Sequence, residues 1–378
     1  MQTLIFTGPA GTAALAAGAT AATAAARGSR TLLASVGPSH ALASLTGIPP
    51  GPEPRPVAAH LDAWCLDPLA DLSGIWAALR GPSSQGPPIA PDELPIIPGS
   101  DLFLAVARLR QLAQGYDLVC VDAGPPDTLL RAMAVPDTFR WALRLLLGLD
   151  RGPGKSSASV ARAVIPTGLI PFPMEWTGNL QDARVRLEQL RDETLDPART
   201  RVRYVLRADS AALAEARLAL PALQLFGLVV EDVVAGPLLD PDLTRVGLGD
   251  LLAEQRAVLE QAATIWPGRR LLGLPATATP AGADALAALG ARLYGDQPLT
   301  PETSPVQPIR LSGPPTPGAA IDLPGLPREA LGLTLSGDEL IVRAGPYRRH
   351  LLLPEGLRGT SAIKATRQGD TLLVQSRS

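Results

Sequence analysis

The sequence predicts an α/β protein: a doubly wound, mainly parallel sheet with helices on both faces, followed by a small C-terminal all-β sandwich. Three observations predict it. Short apolar runs alternate with helix-length segments along most of the chain. The chain opens on a strand, a glycine-bearing loop and an alanine-rich helix. After a proline-rich stretch the apolar period changes to two.

The expected strands are 3–7, 31–36, 117–122, 202–207, 228–234 and 270–274. Each is short and largely apolar, as strands buried on both faces of a parallel sheet are. Between them lie helix-length segments at 12–27, 100–114, 126–148, 178–194, 210–226, 249–265 and 281–294. The first of these is almost entirely Ala and Thr, so it can approach the sheet closely and is expected to be central and buried. Residues 47–56 and 81–98 carry too many prolines to join a helix or a central strand and read as loops. Residues 301–318 (PETSPVQPIRLSGPPTPG) read as a semi-rigid linker. Beyond it, 331–335, 339–343, 349–353 and 371–375 are short β runs, with Ser336-Gly337-Asp338 as a tight turn. The expected division is a body over 1–300, with a helical and loop insertion at 136–200, then the linker, then a β module over 319–378.

At 378 residues and 46% apolar composition the chain can bury a sizeable core, and its formal charge of −2 gives no electrostatic reason to expect nucleic acid. Cys65 and Cys120 are far apart and His40, His60 and His350 are scattered, so neither a disulfide framework nor a metal site is expected. No apolar run is long enough for a membrane span, and the N-terminus reads as a strand rather than a signal peptide. The expectation is a soluble cytoplasmic protein.

The opening stretch MQTLIFTGPAGTAALAAG raises the chemical question. A phosphate-binding loop has the form G-x-x-x-x-G-K-[ST] between a strand and a helix. Its backbone N–H groups cradle phosphates, its lysine neutralises their charge and its hydroxyl holds Mg²⁺. Here Gly8 fits the first glycine, while the second glycine, the lysine and the hydroxyl fall on Ala13, Ala14 and Leu15; Pro9, Gly11 and Thr12 complete the loop. A second glycine–lysine–serine stretch, Gly152-Pro-Gly-Lys155-Ser156-Ser157, lacks the first glycine and the preceding strand and reads as a loop.

Residues 1–46 resemble the start of the ArsA family, the ATPases that drive arsenite efflux and target tail-anchored membrane proteins. That family opens with GKGGVGKT, later followed by DPAHSL; this chain has GPAGTAAL at 8–15 and GPSHAL at 37–42. The likeness continues at YDLVCVDAGPPDTLLR (116–131), where the family shows YDxVVxDTAPTGHTLR, and at the Pro275, Gly282, Leu286, Leu289-Gly290 pattern. LPGLP at 323–327, SGDELIVRAG at 336–345 and RRHLLLP at 348–354 look like the α-crystallin-type (small heat-shock protein) sandwich that some bacterial members carry. The resemblance implies a P-loop NTPase-like fold, and in the family ATP and Mg²⁺ as cofactors and a dimer as the working form.

Carried over position by position, the resemblance also marks what is missing. The family's first loop lysine corresponds to Pro9, the main loop lysine to Ala14, the Mg²⁺ hydroxyl to Leu15 and the switch aspartate to Gly37. Pro38, His40, Asp122 and Pro125 remain, Ala123 and Thr128 replace the threonine and histidine of the second switch, and the base-reading asparagine falls near Ala235. The expectation is a pseudo-ATPase that needs no cofactor and acts as a protein-binding scaffold or chaperone-like factor. It would form a homodimer, or a heterodimer with an intact paralogue. The alternative is an active anion-transporting or tail-anchored-protein-targeting ATPase with unorthodox nucleotide contacts.

Asp122 reads as a carboxylate capping the following helix, with metal ligation as the second reading. His40 reads as a hydrogen-bonded loop residue, Cys120 as a small core residue, and Asp62, Asp67 and Asp71 as solvated helix-entry charges. Trp141, Leu145, Phe172, Met174 and Trp176 could line a groove for a hydrophobic protein or peptide client, or pack on their own helices.

Overall fold

Side-chain alternation along the first strand decides the architecture. Leu4 and Phe6 enter one apolar layer and Ile5 enters another, so the sheet must be covered on both faces. The computed structural model describes residues 1–36, 41–49, 51, 53–65, 93, 100–147, 176–300, 306–313, 317–359 and 363–376, with backbone only at 100–104, 107, 141–147, 176–181, 183 and 246.

In chain order the body comprises β1 (Gln2–Thr7), α1 (Thr12–Ala26), β2 (Thr31–Ser35), α2 (Ala41–Thr46), β3 (Arg55–Ala58), β4 (Leu61–Cys65), α3 (Ser100–Leu112), β5 (Leu118–Asp122), α4 (Pro126–Leu147) and α5 (Trp176–Thr194). It continues through β6 (Thr200–Leu206), α6 (Ser210–Leu225), β7 (Val230–Leu238), α7 (Gly249–Ile265), β8 (Arg270–Pro275) and α8 (Ala283–Tyr294). The eight strands form one sheet in the order β3-β4-β2-β5-β1-β6-β7-β8. All pairings are parallel except the β3–β4 hairpin at the edge. α1, α2 and α8 cover one face; residues of α3, α4, α6 and α7 build the core on the other, with α5 packed against it. β1 lies between β5 and β6, and the chain crosses from one side of the sheet to the other around it. In such sheets the carboxyl ends of the strands at this crossover form a crevice suited to ligands.

The expected strands and helices of the body are present. The structure adds α2 and the β3–β4 hairpin, where the sequence reading placed no regular element. Pro56 is tolerated because β3 is an edge strand. Asp62 is not a helix-entry charge: it lies in β4, on the face opposite Leu61 and Ala63, and accepts a 2.5 Å hydrogen bond from the Tyr116 hydroxyl.

α1 is buried on every side, and its small residues are the reason. A Cβ on Gly290 of α8 would lie 1.8 Å from Thr23 Oγ1 and 2.4 Å from the Ala19 carbonyl, so α1 and α8 touch backbone to backbone. Beneath them sits a polar cluster that the sequence did not announce. Arg203 of β6, fully buried, reaches Asp232 Oδ2 at 3.2 Å, Glu231 Oε1 at 3.0 Å, the Tyr294 hydroxyl and the Leu299 carbonyl. Arg270 holds Asp232 with two bonds of 2.9 and 2.7 Å, Arg201 holds Glu231 at 2.9 Å, and Tyr294 contacts Thr20 of α1 at 2.6 Å.

The C-terminal module comprises β9 (Ile309–Ser312), β10 (Gly318–Asp322), β11 (Leu331–Ser336), β12 (Glu339–Ala344), β13 (Tyr347–Leu352), β14 (Ile363–Gln368) and β15 (Thr371–Ser376). They form two antiparallel sheets, β14-β15-β10-β9 and β11-β12-β13, that share one apolar core. β9 lies within the stretch read as a linker, so part of that stretch is a sheet strand. Leu225 of α6 enters the module's core, and Arg349 donates to the Leu225 carbonyl at 2.7 Å while lying over the Phe226 ring. Trp266 donates to the Pro324 carbonyl at 3.3 Å, and the Tyr347 hydroxyl donates to Asp127 at the start of α4. The module is thus docked on α4, α6 and the end of α7.

The α1–α8 contact carries a direct expectation. Gly290→Ala should lower stability by about 1–3 kcal/mol through overpacking, read as a lower urea midpoint with unchanged slope. Adding Thr23→Ala should restore only part of the loss, because the Ala19 carbonyl still obstructs the new methyl group.

Candidate functional site

The loop after β1 is shaped by its two ends. Thr7 Oγ1 donates to the Gly124 carbonyl at 2.9 Å and the Gly8 N–H donates to the same oxygen at 3.0 Å, joining the loop to the segment after β5. A Cβ on Gly8 would fall 2.3 Å from the Val205 carbonyl oxygen and 2.6 Å from Val205 Cβ, so glycine is required there by the neighbouring strand. Gly11 has φ of +83° in open space, so its glycine serves backbone conformation. The half-buried Pro9 accepts from the Ala13 N–H at 3.1 Å, and Gly11 from the Leu15 N–H at 2.9 Å, which starts α1 at Thr12 without a side-chain cap. Ala14 is wholly buried in the layer between sheet and α1, and Leu15 packs at the edge of that layer. Ala14 and Leu15 thus present alkyl groups in apolar surroundings at the start of α1.

Asp122 closes β5 beside the loop, paired in register with Phe6 and Ser35. It is 1% exposed and accepts from the Gly124 N–H at 3.1 Å and from Ser35 Oγ at 3.3 Å. Among the described residues no cation is ion-paired with it. Burial raises its pKa above the ordinary carboxylate value, and the two hydrogen bonds pull it partly back. The expected role as a cap for the next helix is corrected: α4 starts at Pro126, where the Pro125 carbonyl accepts from the Thr128 and Leu129 N–H groups, and Asp122 instead braces the turn at Gly124. Cys120, one strand residue pair away, is fully buried, and burial pushes its thiol up to about 12. Ala235 is likewise buried, in β7.

The structure therefore brings Gly8, Pro9, Gly11, Thr12, Ala14 and Leu15 to the end of the sheet where Asp122 and Pro125 stand. Gly37, Pro38 and His40 lie outside the described residues, as do Phe172, Met174 and the Gly152–Ser157 stretch. Trp141 and Leu145 are on α4 and Trp176 opens α5, but their side chains also lie outside. Three participants escaped the sequence reading: Thr7, Ser35 and Gly124. Thr7 and Gly124 lie in the quoted stretches but carry no motif role there, Ser35 lies outside them, and the parallel register brings the three strand ends together. Among the described residues no group of three His, Cys, Asp or Glu side chains could hold a metal ion, and no helix is long and apolar enough to cross a membrane.

The buried carboxyl group makes stability depend on pH. Because its folded pKa is raised, Asp122 favours the native state fully only below its unfolded value, near 4, and this contribution is lost as pH rises through the folded value. Asp122→Asn should therefore match the parent below pH 4 and exceed it in Tm at pH 7, a difference that calorimetric scans across this range would measure.

The comparisons with known proteins bear on this site. Residues 1–295 match the family model described as Anion-transporting ATPase, and residues 319–375 match the HSP20-like domain found in ArsA. An uncharacterized protein of Streptomyces coelicolor is 33% identical over 392 aligned positions, covering 99% of this chain and 97% of its own. A Mycobacterium tuberculosis protein is 30% identical, covering 93% and 89%. A protein of Aquifex aeolicus named "Putative arsenical pump-driving ATPase 1" is 21% identical over 92% of each chain. With its body and its C-terminal module both matched in order, the chain belongs to the ArsA family of anion-transporting ATPases.

Proposed function

We propose that this chain is a pseudo-ATPase: a family member that keeps the nucleotide-binding fold as a scaffold and binds protein rather than turning over ATP. The carrying observation is the pair Ala14 and Leu15, set in an apolar layer where the phosphate-charge-neutralising and metal-holding groups belong. Phosphoryl transfer depends on positioning and on charge stabilisation. A bound triphosphate gives up much of its hydration, and this loop returns backbone dipoles and the Thr12 hydroxyl but no cationic side chain. The residues at hand do not fit Mg²⁺–ATP: the one retained acid, Asp122, is enclosed and committed to Ser35 and Gly124. Gly8 and Gly11 do not argue for retained binding, since sheet packing and backbone conformation account for each.

In this reading the chain works in the cytoplasm, forms a homodimer or pairs with an intact paralogue, and presents its helical insertion and β module to a hydrophobic protein or peptide client. Isothermal titration of the full chain with Mg²⁺–ATP tests the nucleotide half directly. The expected result is no saturable heat up to millimolar nucleotide. Binding at micromolar strength, or steady phosphate release, would instead establish an ATPase with unorthodox contacts.

A further inference from the structure

Sheet edges are templates for pairing, and proteins blunt them with charge or proline. Five of the six edge strands in the three described sheets follow this rule. β3 carries Arg55 and Pro56, β8 Arg270 and Pro275, β9 Arg310, β13 Arg348 and Arg349, and β14 Lys364 and Arg367. β11 is the exception: LGLTLS contains neither charge nor proline.

Its leucines are also incompletely covered. Leu331, Leu333 and Leu335 pair in register with Ala344, Val342 and Leu340, which lie in the module's core, so all three leucines face inward. Yet Leu333 and Leu335 remain 39% and 41% exposed. The apolar face of the sheet runs past its cover at this edge.

The backbone pattern supplies a register. Gly345 N–H donates to the Ala330 carbonyl at 2.8 Å, which makes that pair a hydrogen-bonded one. In an antiparallel ladder such pairs alternate, so Gly332, Thr334 and Ser336 bond to β12. The N–H and C=O groups of Leu331, Leu333 and Leu335 therefore point to the open side. A second copy of β11, run antiparallel about a two-fold axis through Leu333, sets Leu333 against Leu333 and Leu331 against Leu335. Every outward backbone group of the three leucines then finds its complement. The inward faces stay on one side, so the leucines form a continuous ladder, while Gly332 and Thr334 meet on the other side. The spacing L-x-L-x-L is symmetric about its centre, which suits a closed, self-complementary contact.

We propose that β11 is a self-association strand: two copies of this chain join antiparallel at Leu333 and extend the three-stranded sheet across the two-fold axis. The inference is independent of the nucleotide reading and its test uses no nucleotide.

Disulfide trapping in the full chain tests it, because the native Cys65 and Cys120 are both buried. In the proposed register the two Leu333 Cα atoms stand about 5.5 Å apart, within disulfide reach. The two Leu335 positions are four residues out of step, about 14 Å apart. Leu333→Cys should give a covalent dimer under mild oxidation, and Leu335→Cys should not. Leu333→Pro removes an outward N–H together with an inward-facing side chain, so it is compared with Leu333→Ala: both should keep the parent's circular dichroism and share a lowered urea midpoint, while sedimentation shows the β11-dependent association lost in the proline variant. Absence of the Leu333→Cys dimer, equal trapping at both positions, or association unchanged in a folded Leu333→Pro chain would overturn the proposal, the last pointing to a different interface.

Discussion

The structure depends on how closely α1 can approach its neighbours. The helix is enclosed by the sheet on one side and α8 on the other, and it fits because its side chains are Ala, Thr and Gly. Gly18 would meet Leu286 at 3.2 Å if it carried a Cβ, and Gly290 would overlap Thr23 outright. Once α1 is placed this way and β1 is held between β5 and β6, the loop joining them has little freedom. Its shape is a consequence of core packing and needs no bound phosphate. Residues 13–15 are alkyl along this strand–loop–helix path, and each side chain adds to the layer that holds α1.

The same layer contains the most charged part of the interior. Arg203, Glu231, Asp232 and Arg270, with Tyr294, tie β6, β7, β8, α1 and α8 together beneath the α1–α8 contact. Burying these ions costs desolvation that their mutual attraction has to offset, and removing one partner would leave an uncompensated buried charge. Here it sets the position of the end of α8 and of the Leu299 carbonyl, both of which bond to Arg203. The sheet's central strand order is secured by apolar contact, and its far side by geometry-sensitive polar bonds.

Much of this was legible in the sequence, because strands buried on both faces write themselves as short apolar runs. β1, β2 and β5 stand out for that reason, and the switch to period two announced β11, β12 and β15. The β3–β4 hairpin did not stand out: RPVA holds a proline and an arginine, and Asp62 interrupts β4 on the face where Tyr116 awaits it. β9 was concealed by the prolines around it, and β14, IKATRQ, has too few apolar residues to register. At the candidate site, Gly8 and Gly11 were visible as glycines, but the reasons for them were not. The first answers to Val205 on a strand nearly two hundred residues away, which only the parallel register reveals. Arg203 was unreadable on similar grounds, since a charge between Val202 and Tyr204 acquires its partners only when β7 and α8 arrive.

The hydrogen bond from Tyr347 to Asp127 gives the docked module a mechanical meaning. Asp127 lies three residues beyond Gly124, whose carbonyl is held by Thr7 and Gly8. A tug on the β module therefore travels through the first turn of α4 to the glycine loop within a few bonds, without passing through the helical insertion. Module and loop are thereby joined by a short path of covalent and hydrogen bonds, so the position of one constrains that of the other.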